Sequence, residues 1–179
     1  AVLPGGASRS LAQREPVLDS ETGRKRYFVV HGGLFSRDDV TLDDVAGVDR
    51  FACKQPGQEG LMMELLWSDP QTAPGRGPSK RGVGLGFGPD ISRAWCQKNG
   101  VTAVLRSHEV RQNGYAEEHD GLCCTVFSAP NYCDSAGNLG AFGRIDAHGT
   151  LNWTTFQAQP HPNIRPMAYA GGPMGGLLA

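Results

Sequence analysis

Three short apolar runs in this chain each stop abruptly in a polar loop. Tyr27-Phe28-Val29-Val30 runs into His31-Gly32-Gly33, 101–105 (VTAVL) into Arg106-Ser107-His108-Glu109, and 123–127 (CCTVF) into Ser128-Ala129-Pro130-Asn131-Tyr132-Cys133-Asp134. Continuous rather than alternating hydrophobicity is the pattern of strands covered on both faces. Helical segments fall between the runs, so the expected class is mixed α/β with parallel strands. In such sheets ligands sit beyond the carboxyl ends of the strands, where the three loops can converge.

The intervening helices carry their own signals. Thr41-Leu42-Asp43-Asp44 has capping-box spacing and opens a helix expected to reach about Phe51. A second is expected over 59–67 (EGLMMELLW), and a third from Pro89-Asp90 to the stop signal Asn99-Gly100. Residues 68–88 read as a long Gly/Pro-rich loop, a length that is usually functional or disordered. Weaker strands are expected over 141–145 and 151–156, with turns at Gly137, Gly140 and His148-Gly149. Residues 1–26 read as a flexible polar lead-in and 159–179 as a Pro/Gly-interrupted tail, leaving 27–158 as the body.

Composition narrows the function classes. The chain has 179 residues, 39% hydrophobic and 20% charged, enough for one domain with a real core. A formal net charge of -1 gives no strong field toward nucleic acid or an anionic membrane. No apolar run approaches the ~20 residues of a transmembrane helix. The cysteines, Cys53, Cys96, Cys123, Cys124 and Cys133, form no C-x-x-C, which argues against a disulfide framework or zinc ribbon. Reduced thiols are expected, in a cytoplasmic or nuclear setting.

Two of the three strand-end loops present a histidine, His31 and His108, and histidine is the commonest metal ligand. A lone strand-end histidine is more often a hydrogen-bonded structural residue. Two at equivalent ends leave the metal and structural readings both open. The glycines after His31 would let backbone or ligand approach closely. His119, His148 and His161 read as structural or solvated. Arg81, among small residues in Ser79-Lys80-Arg81-Gly82-Val83-Gly84, is either a solvated loop residue or a fork able to grip an anion bidentately. Neither a Walker loop nor G-x-G-x-x-G is present, so nucleotide binding is unsupported.

HGGLF, LLWSDP, SKRGVG, RSHEV and VFSAPNYCD occur in this order. Together they resemble the carboxyl half of the phosphoprotein phosphatase family of Ser/Thr phosphatases, and RSHEV with HPNIRPMAYA resembles its type-5 branch, which carries an amino-terminal tetratricopeptide domain. The resemblance implies a calcineurin-like metallophosphoesterase α/β sandwich, incomplete here because the amino-half strands are absent. It implies a centre of two divalent metals (manganese, or iron and zinc) with His31 and His108 as ligands of one metal. Arg81 corresponds to a phosphate-gripping arginine and Tyr132 to the tyrosine bordering that pocket. Val110 and Phe127 resemble walls of the substrate groove, Trp67 and Asp69 a supporting segment behind it, and Cys133 the cysteine beside the tyrosine. The implied reaction is direct hydrolysis of phosphoserine or phosphothreonine by a metal-activated water, on phosphoprotein substrates.

The family's amino-half motifs GDxHG, GDxxDRG and GNHE do not occur in this sequence. By that template the bridging aspartate, the other metal's ligands and the general-acid histidine are missing. The expectation is an amino-truncated phosphatase, inactive alone, with a tetratricopeptide domain or chaperone partner only in a longer parent. A non-catalytic phosphatase-like binding module is the alternative.

Overall fold

The computed structural model describes residues 15–164. In chain order the elements are β1 (Tyr27–Val29), α1 (Leu42–Ala46), α2 (Leu61–Trp67), β2 (Asp69–Pro70), β3 (Arg76–Pro78) and β4 (Leu85–Phe87). There follow α3 (Pro89–Asn99), β5 (Ala103–Arg106), β6 (Tyr115–Glu118), β7 (Cys123–Val126), β8 (Gly140–Ile145) and β9 (Leu151–Phe156).

The main sheet has the order β1-β5-β7-β6, with β1, β5 and β7 mutually parallel and β6 antiparallel at the far edge. Register places Phe28 beside Val104 and Val104 beside Cys123, so these three share one face. That face packs on α3, where Trp95 and Cys96 are buried and the Phe28 and Trp95 rings lie 4.8 Å apart. Val29, Leu105 and Val126 point the other way, toward the β8–β9 hairpin across a groove of about 190 Å³ lined also by Leu151 and Trp153. Strand β1 departs from the expectation of cover on both faces. It has a single neighbour in the sheet, and Val29 is 74% exposed.

Pro at the first turn and Gly100 in the left-handed conformation (φ 59°) bound α3 where the sequence places it. The capping box at Thr41 is formed, with Thr41 and Asp44 exchanging both bonds. The helix ends at Ala46 rather than near Phe51. Gly47 caps it, and the carboxylate of Asp49 instead accepts the Phe51 and Ala52 N–H groups in a turn. The 68–88 stretch is no featureless loop: β2, β4 and β3 make a small sheet in that order. The described part of the lead-in is also organised. Leu18 and Lys25 form a bridge, and Asp19 accepts from Thr22 and pairs with Arg26. Thr102 ties this turn to the sheet by donating to the carbonyls of Val17 (2.6 Å) and Arg26 (2.7 Å). The remainder of the lead-in, 1–14, and the tail beyond 164 fall outside the described residues.

Candidate functional site

Because β1, β5 and β7 run in parallel, the loops leaving them all emerge at one end of the sheet. The first two are stitched together by the main chain: Ser107 N–H donates to the His31 carbonyl at 3.1 Å. The His108 backbone then turns sharply, with φ 75° and a bond from Glu109 N–H back to the Ser107 carbonyl at 3.0 Å. That three-residue γ-turn with a positive central φ is rare and strained for a side chain larger than glycine. It swings the His108 ring onto His31. His31 Nε2 and His108 Nδ1 stand 3.0 Å apart, with ring centroids 4.7 Å apart in edge contact.

Both rings are held neutral. Desolvation, reinforced by the Arg106 and Arg81 charges, lowers the proton affinity of His31. Desolvation and then Arg81 push His108 down to about 4. The Trp67 ring stands edge-on to His108 at 5.4 Å, and His108 Nε2 is buried without a hydrogen-bond partner among the described residues.

Arg81 joins the pair. Its Nε donates to Asp69 Oδ2 at 2.6 Å, and its Nη2 reaches Asp69 Oδ1 at 3.4 Å and the His108 carbonyl at 3.3 Å. Burial works to raise the Asp69 carboxyl, but Arg81 and Arg106 outweigh it and keep the group ionised below its ordinary range. So His31, His108, Trp67, Asp69 and Arg81, singled out by sequence, do come together.

Phe127 and Tyr132 form a second group, and Val110 lies on a loop bonded to theirs. Phe127 and Tyr132 pair edge to face at 5.1 Å, Tyr132 is 46% exposed and Val110 40%. Phe127 N–H bonds the Gly114 carbonyl, tying the loop after β7 to the loop that carries Val110. Cys133 lies exposed in the same loop, with φ 54°.

The glycines after His31 do allow close approach, and what approaches is the chain itself. A Cβ on Gly32 would stand 2.5 Å from the Leu66 carbonyl carbon, and one on Gly33 would stand 2.2 Å from the Phe87 ring. The space beside His31 is therefore taken by α2 and a core aromatic, not kept open for a ligand. The residues that sequence reasoning passed over are Arg106, read as the opening of a loop, and Asn138. Arg106 ends β5 fully buried. Asn138, 3% exposed, accepts from Tyr132 N–H and donates to the Ala129 and Leu139 carbonyls, shaping the loop that presents Tyr132. An arginine at the end of an apolar run was the available signal for the first; nothing local marked the second.

The sequence profile of the calcineurin-like phosphoesterases matches residues 5–112. The chain belongs to that family. Among calcineurin-like phosphoesterases and their kin it is similar to serine/threonine-protein phosphatase T of Schizosaccharomyces pombe, 66% identical over 151 residues, covering 84% of this chain and 32% of that protein. It is similar to serine/threonine-protein phosphatase 5 of Homo sapiens at 48% identity over 146 residues, covering 81% and 29% respectively. A solved protein serine/threonine phosphatase from Saccharomyces cerevisiae, described as similar to human phosphatase PP5, superposes with a TM-score of 0.72 at 47% identity, covering 80% of this chain and 48% of that one. The chain thus spans about a third of the length of the curated relatives it matches.

Calcineurin-like phosphoesterases use divalent metals, and the two imidazoles fit part of that role. Nitrogens 3.0 Å apart suit two neighbouring corners of a coordination shell with bonds of about 2.0–2.1 Å, and desolvation disfavours the charged form of both rings. A third donor is lacking: no group of three or more His, Cys, Asp or Glu that could hold a metal forms among the described residues. Asp69, the nearest carboxylate in this network, is committed to two arginines. The residues present do not make a complete metal site, and no chemical step can be routed through one on their strength. No helix among them is long and apolar enough to cross a membrane.

Proposed function

We propose that these residues are the carboxyl-side half of a Ser/Thr protein phosphatase centre, and that the 179-residue chain does not turn over substrate by itself. The observation that carries this is the neutral His31–His108 pair, 3.0 Å between nitrogens, with Arg81 bonded to the His108 carbonyl beside it. The reaction is hydrolysis of phosphoserine and phosphothreonine esters. Two divalent ions, manganese or an iron–zinc pair, would supply the activated water. His31 and His108 would hold one of these ions as two of its ligands, and the remaining ligands would come from beyond the described residues. Arg81 would receive the phosphate oxygens, a reading supported by its bonds to Asp69 and to the His108 carbonyl, with Trp67 backing His108. Tyr132, Phe127 and Val110 border the approach for a protein segment. Substrates are phosphoproteins, a tetratricopeptide domain or chaperone is a partner in a longer parent, and the five free thiols support a cytoplasmic and nuclear location.

The test joins the chain to the segment of the S. pombe phosphatase T that precedes its match. The fusion, loaded with Mn²⁺, is expected to hydrolyse a phosphothreonine peptide in preference to a nucleotide phosphoester, and His108→Ala to abolish it. Turnover of the phosphopeptide by the unfused chain would refute its inactivity alone. A fusion that binds the peptide without hydrolysing it would favour the binding-module reading, which the incomplete donor set keeps in play.

A further inference from the structure

Arg106 is the largest of the fully buried side chains, and its guanidinium reaches a different loop with each nitrogen. Nε donates to the Gly32 carbonyl, one residue after His31. Nη1 donates to Glu109 Oε2 at 2.8 Å, one residue after His108, and to Thr125 Oγ1 at 3.4 Å on β7. Nη2 donates to Asp69 Oδ1 at 2.8 Å, the same carboxylate that holds Arg81, and lies 3.5 Å from the Ser68 carbonyl. His31, His108 and the Asp69 carboxylate that holds Arg81 are therefore each one covalent step or one ion pair away from this single side chain.

Fold stability is a poor reason for such an arrangement. Removing a full charge from water costs several kcal/mol, and replacing buried ion networks with well-packed apolar residues is often neutral or stabilising. What the planar fork does that an apolar side chain cannot is fix directions: up to five N–H donors point along set lines in one plane. The ammonium of a lysine, a single point, cannot bridge Gly32, Glu109 and Asp69 at once.

We propose that Arg106 is a positioning residue, which sets the His31 loop, the strained His108 turn and the Asp69–Arg81 pair in register with one another. It touches no substrate; it acts through the three loops it holds. The assignment deepens the phosphatase reading, but its test does not depend on turnover, so either can fail alone.

The readout is solution NMR of the full 179-residue chain at constant pH. The His31 and His108 imidazole ¹⁵N signals report the ring pair, and hydrogen exchange of the Ser107 amide reports its bond to the His31 carbonyl. Trp95, whose indole N–H is bonded to the Val40 carbonyl at 3.0 Å in the core, monitors the fold. In Arg106→Met and Arg106→Lys the Trp95 signal is expected to persist, the imidazole signals to move to those of separated rings, and Ser107 exchange to quicken at least tenfold. Arg111→Met, which removes a neighbouring partner of Glu109 and Glu118, is expected to leave all of these in place. Folded Arg106 variants with unchanged imidazole signals and Ser107 exchange would overturn the proposal. So would loss of the fold in both variants, which would assign Arg106 to stability alone.

Discussion

Gly33→Ala should be among the most damaging single-methyl additions this domain can receive. The added Cβ would stand 2.2 Å from Phe87 Cε1, 2.8 Å from its Cζ and 2.9 Å from the Ser68 carbonyl oxygen. Carbon atoms pack at about 3.5–4.0 Å, so the ring has to retreat by more than about 1 Å. It has nowhere to go. Phe87 is 0% exposed, and its ring meets His119 edge-on at 5.7 Å. His119 is pinned in turn between Ser92 Oγ (2.7 Å) and the Gln71 carbonyl (2.9 Å). Overpacking costs roughly 1–3 kcal/mol, and a site closed on this many sides belongs at the upper end, about 3 kcal/mol. Urea denaturation followed by tryptophan fluorescence measures it. Gly47→Ala is the control: its φ of -74° is compatible with alanine and its nearest neighbour would be 3.4 Å away. That change should be neutral or stabilise by about 0.4–1 kcal/mol, through the unfolded chain. Shrinking the obstacle in Gly33→Ala/Phe87→Leu should recover part of the loss, giving a coupling of about 1 kcal/mol or more. If Gly33→Ala lies within about 0.5 kcal/mol of the parent, close packing is not what the glycine is for.

Other outcomes follow from single contacts. Asp69→Asn leaves the fully buried Arg106 short of a counter-charge and frees Arg81, so a loss of about 3 kcal/mol is expected in the same denaturation assay. Thr41→Ala removes the side-chain half of the α1 capping box, the Thr41 hydroxyl that accepts from Asp44 N–H, and should cost about 1 kcal/mol. Burial lowers the proton affinity of His119 below its ordinary 6.5. Between the folded and unfolded values only the unfolded chain takes up a proton, so stability is full above about pH 6.5 and declines as pH falls below it. Melting curves from pH 7.5 to 5 should show that slope. His119→Gln should reduce it without removing it, since His31 and His108 are shifted the same way.

How much of this was legible in sequence depends on the length scale of each cause. Helix α3 was readable to the residue because Pro89 and Gly100 act within one turn. The parallel strands were readable because four or five apolar residues in a row have few other uses. Strands β2, β3 and β4 were not, since two- and three-residue strands rich in Gly and Pro have no period to detect. Strand β6 (YAEE) is half polar because its acids are partnered, Glu118 by Arg111 on the preceding loop and Glu117 by Trp153 far off in sequence. At the site, the ordered motifs led to His31, His108, Arg81 and Asp69. The true neighbours of Gly32 and Gly33, and the burial of Arg106, depend on helix α2 and strand β4 folding back, which no local pattern encodes.

The parallel pairing of β1 with β5 has a kinetic consequence. His31 and His108 are 77 residues apart in sequence, and the segment between them contains all three helices and the small sheet. Closing that loop costs entropy before any non-local contact repays it, and parallel pairings of long separation form slowly. The imidazole pair therefore assembles late, after the segment between the two histidines has collapsed enough to shorten the search. Until then the apolar strand ahead of His31 travels unpaired, and contact between the two rings marks the moment the domain has closed.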